Sequence, residues 1–274
     1  MDLNLIKQRL DSMQGKGSKN GKKNYFKPSV GKEVIRVVPF KYNSKFPFTE
    51  IRFYYGIGDK KVMPSPASWG EKDPIMEFAK KLRDTNDQAN IDLAKKLYPK
   101  NRVFAPVIIR GKEEEGVKLW QFGKKVYQQF LNLADDSEVG DYTDILKGRD
   151  IKLTTVGPEA TGTKYNETTL TPSFTTSPLV EDEELLEKIL ENQPNPKEVY
   201  TPYSYDEMKE ELEKWLSSDD DEEEEIISEE AEAFDDEPKT NYSAQSAGLE
   251  KKSKAEKFDE MFRDDEEQND DLPF

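Results

Sequence analysis

Arg102-Val-Phe-Ala-Pro-Val-Ile-Ile109 carries the strongest fold signal in the chain, and Val117-Lys-Leu-Trp-Gln-Phe122 follows it closely. Both runs are rich in β-branched and aromatic residues and are bounded by turn-forming residues, a pattern that is typical of β-strands. Three more runs of the same character predict strands at Glu33–Pro39, Phe46–Gly56 and Asp150–Val156. Strands of this number and length suit a small β-barrel.

Helical patterns lie between and after these runs. Asp73-Pro74 provides a helix cap and a first-turn proline, and apolar residues then recur at helical spacing. Further helices are predicted at Ile91–Tyr98, Lys124–Leu133, Glu181–Glu191 and Tyr205–Leu216, the last begun by a capping box of Ser204 and Glu207. Because strands and helices alternate irregularly, the pattern favours an α+β fold over a doubly wound sheet. We therefore expect an α+β body in which a five-stranded barrel core carries helical insertions.

The charge of the chain is divided between its two ends. Basic residues outnumber acidic ones by 27 to 14 in residues 1–130, whereas acidic residues outnumber basic ones by 35 to 10 in residues 181–274. The net charge of -16 therefore conceals a basic half. The field near a surface depends on charges within a Debye length of about 10 Å, so the first half can still hold a polyanion.

Charge and apolar patterning divide the chain into three parts. Residues 1–23 are polar, Gly-rich and basic and are predicted to form a flexible arm, whereas residues 24–217 are predicted to fold. Residues 218–274 are predicted to be a disordered acidic tail, because Asp219–Glu237 contains 13 acidic residues, no basic residue and few apolar ones. Within the tail, Lys251–Arg263 is either a transient amphipathic helix for a partner groove or a weakly structured spacer.

Missing residue types limit the chemistry of the protein. The chain contains no Cys and no His, which excludes disulfides, thiolate or imidazole zinc sites, Cys or Ser-His nucleophiles and imidazole bases. It also lacks an N-terminal signal pattern and any apolar run near the roughly 18 to 20 residues that span a bilayer. We expect a soluble, cytoplasmic, non-enzymatic protein with no cofactor and no membrane partner.

Aromatic and basic residues are interleaved in the β-rich half. Exposed bases stack on aromatic faces for about 1 to 3 kcal/mol each, and Lys and Arg neutralise phosphates, so this combination is typical of single-stranded nucleic-acid binding. The candidates from this pattern are Arg36, Lys41, Tyr98, Lys100, Arg102, Phe104, Trp120, Lys124, Lys125 and Tyr127. About half of the aromatic residues are expected to be core instead, Phe48 and Phe122 above all, because Tyr and Trp more often lie at a wet surface.

Several segments together resemble a known protein family. They are Val34-Ile-Arg-Val-Val-Pro-Phe-Lys41, Arg102-Val-Phe-Ala-Pro-Val-Ile-Ile109 and above all Trp120-Gln-Phe-Gly-Lys-Lys-Val-Tyr127. In order and spacing they are similar to the single-stranded DNA-binding (helix-destabilising) proteins of T-even-like tailed phages, over roughly residues 24–216. The resemblance implies an OB barrel that coats single-stranded DNA cooperatively in replication, recombination and repair. The preference for DNA over RNA rests on this resemblance.

The resemblance also implies a set of functional residues and partners. By matching position, the DNA-binding cleft would contain Arg36, Tyr98, Lys100, Arg102, Phe104, Trp120, Lys124, Lys125 and Tyr165. The family uses a basic N-terminal arm for self-association along DNA, although the arm here lacks a close match to the cooperativity motif. The acidic C-terminal region would bind replication and recombination proteins such as a polymerase, a helicase loader or a recombinase. A phage-encoded protein of this kind would act in the cytoplasm of the host cell.

The sequence departs from the family in one chemical respect. The typical member holds a structural zinc ion through one His and three Cys, and the matching positions here, Tyr55 and Val62–Met76, offer neither residue type. Zinc binding by thiolate and imidazole is therefore excluded. The insertion must be held by packing, for which the candidates are Met63, Trp69, Ile75, Met76 and Phe78. The alternative is a carboxylate-only metal site at Glu71, Asp73 and Glu77.

The C-terminal end of the sequence carries a second resemblance. The residues Asp270, Asp271, Leu272, Pro273 and Phe274 are similar to the end of bacterial-type single-stranded DNA-binding proteins. In those proteins the final Phe ring and α-carboxylate enter a basic-rimmed pocket on partner proteins, and the preceding acids steer the encounter. The alternative is that these residues are simply where an acidic tail ends.

Two other classes of function fit parts of the sequence. An acidic chaperone or DNA mimic that sequesters basic partners accounts for the net charge but not for the basic aromatic half. A metal-dependent nuclease needs clustered carboxylates, and the nearest set, Asp141, Asp144 and Asp150, is better interpreted as loop and cap residues. In the favoured interpretation, the negative tail also competes with DNA for the basic cleft.

Overall fold

A computed structural model describes residues 25–43, 45–217 and Phe258 of this chain. The predicted N-terminal arm at residues 1–23 lies outside the described residues. The predicted acidic tail, with its tip at Asp270–Phe274, also lies outside them, apart from Phe258.

A mixed sheet organises the described part of the chain. Its strands are β1 (Tyr25–Phe26), β2 (Gly31–Val37), β3 (Thr49–Ile57), β4 (Lys60–Pro64), β5 (Lys100–Ile109), β6 (Lys118–Phe122), β7 (Arg149–Val156) and β8 (Glu167–Thr176). The main path of pairings runs β1-β6-β5-β2-β7-β8, and β3 pairs with β4 as a hairpin off this path. β1 is parallel to β6, and the other pairs along the path are antiparallel. The two stretches with the strongest strand signal are neighbours, with Ala105 opposite Trp120.

The sheet is larger than the sequence predicts. All five predicted strands are present, as β2, β3, β5, β6 and β7, but the described residues form eight strands and the sheet is not closed. The three additional strands carry weak signals, because β1 has two residues, β4 begins with two lysines, and the Thr-rich β8 is exposed over most of its length. Such segments lack the apolar run or alternation by which a strand is recognised. The closed five-stranded barrel is therefore not confirmed.

Seven α-helices in the described residues complete an α+β fold. They are α1 (Pro74–Asp84), α2 (Gln88–Lys96), α3 (Lys124–Asp135), α4 (Pro158–Thr161), α5 (Glu183–Glu191), α6 (Pro196–Val199) and α7 (Tyr205–Ser217). The predicted cap of α1 is confirmed, because the Asp73 side chain accepts hydrogen bonds from the first turn. The capping box of α7 is confirmed as well, since the backbone N–H and the hydroxyl of Ser204 donate to Glu207 at 2.9 and 2.8 Å.

The chain divides into two compact units, which are described separately. Unit 1 comprises residues 1–50 and 103–199, and unit 2 comprises residues 51–102 and 200–274. In unit 1, apolar side chains cover both faces of the sheet. The neighbouring β5 residues Val107 and Ile108 point to opposite faces. Val107 belongs to a cluster that includes Phe48 and Trp120, and Ile108 to one that includes Leu179 and Ile189.

Unit 2 packs α1, α2 and α7 around a single apolar cluster. Of the residues predicted to hold the insertion, Met63, Ile75 and Phe78 are buried in this cluster and Met76 packs against it. The packing prediction is confirmed for these four residues, whereas Trp69 is only half-buried.

Asp73 is a buried polar centre in unit 2. Its carboxylate accepts hydrogen bonds from the Tyr54 hydroxyl at 2.9 Å, from the Ser65 hydroxyl, and from the backbone N–H groups of Ile75 and Met76 at 3.0 and 3.1 Å. Burial, together with the negative charge of Asp73, raises the pKa of Tyr54 far above its ordinary value. The side chain thus joins β3, the β4–α1 connection and the start of α1.

The same region does not fit the zinc ion of the family. It offers no thiolate or imidazole, and the Asp73 carboxylate is already engaged by four donors. Glu77, another member of the alternative carboxylate site, accepts a hydrogen bond from the Tyr205 hydroxyl at 2.8 Å. Within residues 25–43 and 45–217, no group of acidic side chains is arranged to hold a metal ion.

The β3–β4 turn lies against α7 within unit 2. Gly58 has a φ of 62°, and a Cβ atom at this position would lie 2.6 Å from the carbonyl oxygen of Glu211. The next N–H group, of Asp59, donates to the Glu211 carboxylate at 2.7 Å, and Lys214 bridges the two acids at 3.0 and 2.8 Å. Glycine is therefore required here both for its backbone conformation and for the close approach of the helix.

Replacing Asp73 by Ala is expected to lower the free energy of unfolding by about 3 kcal/mol or more, because it removes a helix cap and leaves two buried hydroxyl groups without an acceptor. Tyr54→Phe, which removes one donor and leaves the carboxylate three others, is expected to cost about 1 kcal/mol. Denaturant unfolding of the full chain, followed by circular dichroism, measures both. Small and equal losses would contradict the central role of the carboxylate.

Candidate nucleic-acid interface

The start of α3 forms a basic surface of unit 1. Lys124 and Lys125 are its first two residues, and both are exposed. No side chain caps this end of α3, so the cap residue gives its first backbone N–H groups no side-chain acceptor, and the positive end of the helix dipole lies at the two lysines. The Lys125 amine lies 3.4 Å from Glu167 in a pair whose members are 58% and 45% exposed. An ion pair this exposed is weak, so a phosphate can replace the carboxylate.

Gln129 fixes α3 against the edge strand β8. Its amide nitrogen donates to the carbonyl of Thr168 at 3.1 Å, and its amide oxygen accepts from the N–H of Leu170 at 2.8 Å. The Gln129 side chain therefore makes the two hydrogen bonds that a neighbouring strand would otherwise make with Thr168 and Leu170. This contact fixes the position of α3, and with it Lys124 and Lys125, relative to β8.

A second pair of lysines lies on an exposed part of β2 and β7, on the sheet face that also carries Arg36 and Ile108. Lys32 in β2 is opposite Thr154, and Lys152 in β7 lies between Val34 and Thr171. The two lysines are exposed and are diagonal neighbours on one face, at a spacing of about 7 to 8 Å. Sequence reasoning missed them, because Lys152 belongs to a run with no aromatic residue. The alternation of β7 would have indicated its outward position.

Three further candidates of unit 1 are engaged within the protein. The Lys41 amine donates to the carbonyl of Glu191 at 2.9 Å. The Tyr127 hydroxyl donates to Glu50 at 2.8 Å, and burial together with this bond raises the pKa of Tyr127. Tyr165 is half-buried in the α4–β8 connection, where its carbonyl accepts from the Thr163 hydroxyl at 2.8 Å.

Unit 2 contributes a smaller set of candidates. Tyr98 is 39% exposed after the end of α2, and Lys100 is exposed at the start of β5. Arg102, by contrast, is 2% exposed. Its Nε donates to the Tyr55 hydroxyl at 3.1 Å, and its guanidinium carbon lies 5.4 Å from the centre of the Tyr55 ring. Arg102 therefore orients Tyr55 and does not reach the surface.

Trp120 and Phe104 are core residues in this structure. The Trp120 indole is 2% exposed and contacts the rings of Phe26, Phe122 and Phe130 at centroid distances of 5.7, 5.0 and 5.7 Å. Phe104 is fully buried. Neither side chain is exposed for stacking on a base. The expectation that Trp lies at a wet surface is overridden here, because Trp120 is on the inward side of β6.

Arg36 is also fully buried in unit 1. It donates to the Asp150 carboxylate at 3.1 Å and to the carbonyls of Asp144 and Ser177 at 3.0 and 2.7 Å. Its Nε has no hydrogen-bond partner among the described residues. Burial lowers the pKa of Arg36, and the charge of Asp150 opposes this shift. Arg110 reaches the same carboxylate at 2.8 Å, so one half-buried acid joins two arginines.

The carboxylates weighed for a nuclease serve local structure. Asp141 accepts from the backbone N–H and the hydroxyl of Thr143. Asp144 accepts from the backbone N–H groups of Leu146 and Lys147, which lower its pKa. Asp141 and Asp144 are loop residues as predicted, whereas Asp150 lies in β7, contrary to the prediction, and binds the two arginines.

Comparison with known proteins identifies the chain. A family model described as gp32 DNA binding protein like matches residues 29–218. A search of curated proteins gave no match. The described helices include none that is both long and apolar enough to cross a membrane. The protein is thus a DNA-binding protein. It belongs to the gp32-like family, a non-enzymatic family of DNA-binding proteins, as the sequence resemblance predicts.

Replacing Arg36 by Ala is expected to lower the free energy of unfolding by about 2 to 4 kcal/mol, because it leaves a void in a fully buried site and removes the donor of the Asp144 and Ser177 carbonyls, while Asp150 keeps Arg110. Lys32→Ala, on the same face of β2 but exposed, is the matched control and is expected to change stability by less than about 0.5 kcal/mol. Denaturant unfolding measures both. A stable Arg36→Ala variant with weakened DNA binding would restore the predicted surface role.

Proposed function

We propose that this protein is a sequence-independent single-stranded DNA-binding protein that coats and protects single-stranded DNA in phage DNA replication, recombination and repair. The observation that carries the proposal is the family match over residues 29–218, which spans nearly all of the described body. The exposed lysines of unit 1 and the exposed Tyr98 and Lys100 of unit 2 support it. Lysine amines neutralise phosphates, and an aromatic ring such as that of Tyr98 offers a surface on which an unstacked base can stack.

In the proposed mechanism, phosphates bind at two lysine pairs of unit 1. Lys124 and Lys125 act together with the N–H groups at the start of α3, and Lys125 exchanges Glu167 for a phosphate. Lys32 and Lys152 bind on the sheet face, among threonine hydroxyl groups that can also donate to phosphate oxygens. Such contacts neutralise charge without reading base identity, which is why binding is independent of sequence.

Stacking and positioning complete the mechanism. Tyr98 and Tyr165 are the candidates for contact with bases, and Lys100 and Lys41 are further phosphate candidates. The buried residues act indirectly, by holding the strands that carry the exposed ones: Arg36, Arg102, Phe104 and Trp120. Tyr127 acts in the same way, through its bond to Glu50.

Finer features of the proposal come from the sequence. The sheet core corresponds to an OB-type barrel, residues 24–217 form the DNA-binding body, and residues 1–23 form an arm for self-association along DNA. Residues 218–274 form an acidic tail whose tip, Asp270–Phe274, docks on replication and recombination proteins. The protein would act in the cytoplasm of the host cell.

Titration with oligo-dT, a matched duplex and oligo-U at several salt concentrations tests the proposal. Tight binding of oligo-dT, weak binding of the duplex and a steep salt dependence are expected. Binding is best followed by fluorescence anisotropy of labelled DNA, since Trp120 is buried and its emission is not a direct report of stacking. No binding to any nucleic acid would overturn the proposal and favour an acidic chaperone.

The double variant Lys124→Ala and Lys125→Ala is expected to weaken oligo-dT binding and to lower the slope of log K against log salt by about 1.4, or about 0.7 for each lost phosphate contact. Lys188→Ala, at an exposed lysine of α5, is the matched control for loss of surface charge. An unchanged slope in the double variant would exclude the start of α3 as a phosphate site.

Neutralising the acidic run is expected to tighten DNA binding at low salt, because the tail then competes less with DNA for the lysines. The change replaces the acids of Asp219–Glu237 by Asn and Gln in the full chain, and leaves Phe258 in place. The gain should vanish at high salt, where both interactions are screened. Equal affinities of the two proteins at every salt concentration would exclude competition by this run.

A further inference from the structure

Phe258 is a residue of the acidic C-terminal region that lies in the core of unit 2. Its side chain is 4% exposed and belongs to the apolar cluster of α1 and α7. Its ring contacts the ring of Phe78 in an edge-to-face arrangement at a centroid distance of 5.3 Å. The Lys209 amine lies 5.9 Å from the centre of the same ring, within the range of a cation–π contact.

These contacts come from two different helices. Phe78 belongs to α1 and Lys209 to α7, and the same cluster contains Met208, Leu212 and Trp215 of α7. Phe258 therefore contacts both helices within the cluster. An aromatic ring buried to this extent contributes more to the free energy of unfolding than a ring on the protein surface does.

We propose that Phe258 is an intramolecular anchor, which docks the acidic C-terminal region onto the α1–α7 face of unit 2. The occupant of this site is a segment of the same chain. The inference concerns the protein without DNA and does not rest on the proposed function.

The sequence around Phe258 supports this occupant. Four of the few basic residues of the C-terminal region, Lys251, Lys252, Lys254 and Lys257, immediately precede Phe258. The helix α7 is acidic, with five acids against two lysines over Tyr205–Ser217. A basic segment with an aromatic anchor is thus complementary in charge to α7 and in apolarity to the cluster.

The length of the connecting sequence favours docking within one chain. Forty residues separate Ser217 from Phe258. The cost of closing a loop grows only with the logarithm of its length, and tethering gives an effective concentration that can reach the millimolar range. An anchor of modest intrinsic affinity therefore remains bound in its own chain.

Docking gives the C-terminal region a second attachment to unit 2. Ser217 ends α7 and Phe258 lies in the apolar cluster, so residues 218–257 connect two points of the same unit.

Hydrogen exchange of the full chain tests the anchor. In Phe258→Ala, amides in α1 and α7 are expected to exchange about tenfold faster or more, because an opening of these helices no longer has to break the contacts of the ring. Phe174→Ala is the matched control, since this ring is 92% exposed and lies in unit 1. Identical exchange of α1 and α7 in Phe258→Ala and in the unaltered chain would overturn the proposal.

A peptide of residues 251–263 provides the second arm of the test. Added to the full-length Phe258→Ala protein, it is expected to restore slow exchange in α1 and α7, whereas the same peptide with Ala at position 258 is not. Slow exchange in the unaltered chain should not depend on protein concentration. A loss of protection on dilution, with a dimer in light scattering, would show that the site is filled by a second copy and would overturn docking within one chain.

Discussion

The buried guanidinium group of Arg36 is the interaction on which unit 1 depends. Its donors connect β2 to Asp150 of β7 and to the carbonyls of Asp144 and Ser177, in two loops that flank the sheet. A Cβ atom on Gly148 would lie 2.5 Å from this group, so the loop can close around it only with glycine there. The planar fork suits Arg and not Lys, because several acceptors must be met in fixed directions. The exposed Lys32 and Lys152 lie further along the same face of these two strands.

The helices and the central strands could be predicted because their signals are local. Asp73-Pro74 identifies the start of α1, Ser204 with Glu207 identifies the start of α7, and β5 contains an unbroken apolar run from residue 103 to residue 109. The strand β8 could not be predicted in this way. Its stability comes from pairing with β7 and from the amide of Gln129, both distant in sequence. The open, eight-stranded form of the sheet follows from such pairings, which no local pattern contains.

The candidate site was harder to predict than the fold, because residue type does not fix the side of a strand. Trp120 and Arg102 match the chemistry of a DNA cleft, and both are buried. Both side chains find their partners inside the protein. Arg102 donates a hydrogen bond to the Tyr55 hydroxyl, and the Trp120 ring packs against three phenylalanine rings. Lys124 and Lys125 were predicted and are exposed, whereas Lys152 was missed, although it alternates with the apolar Ile151 and Leu153 of β7.

Unit 2 shows how a helical insertion is held without metal ligands. Its chain leaves after Arg102 and returns at Tyr200, so the insertion is closed by elements that are distant in sequence. Asp73 organises its polar interior, Glu211 of α7 receives the β3–β4 turn at Gly58, and Phe258 lies in the apolar cluster. Of these residues, only Phe258 belongs to the C-terminal region. Removing that region would therefore take one ring from the core of unit 2 as well as change the charge of the protein. Substitution of the acids separates these two effects, and truncation does not.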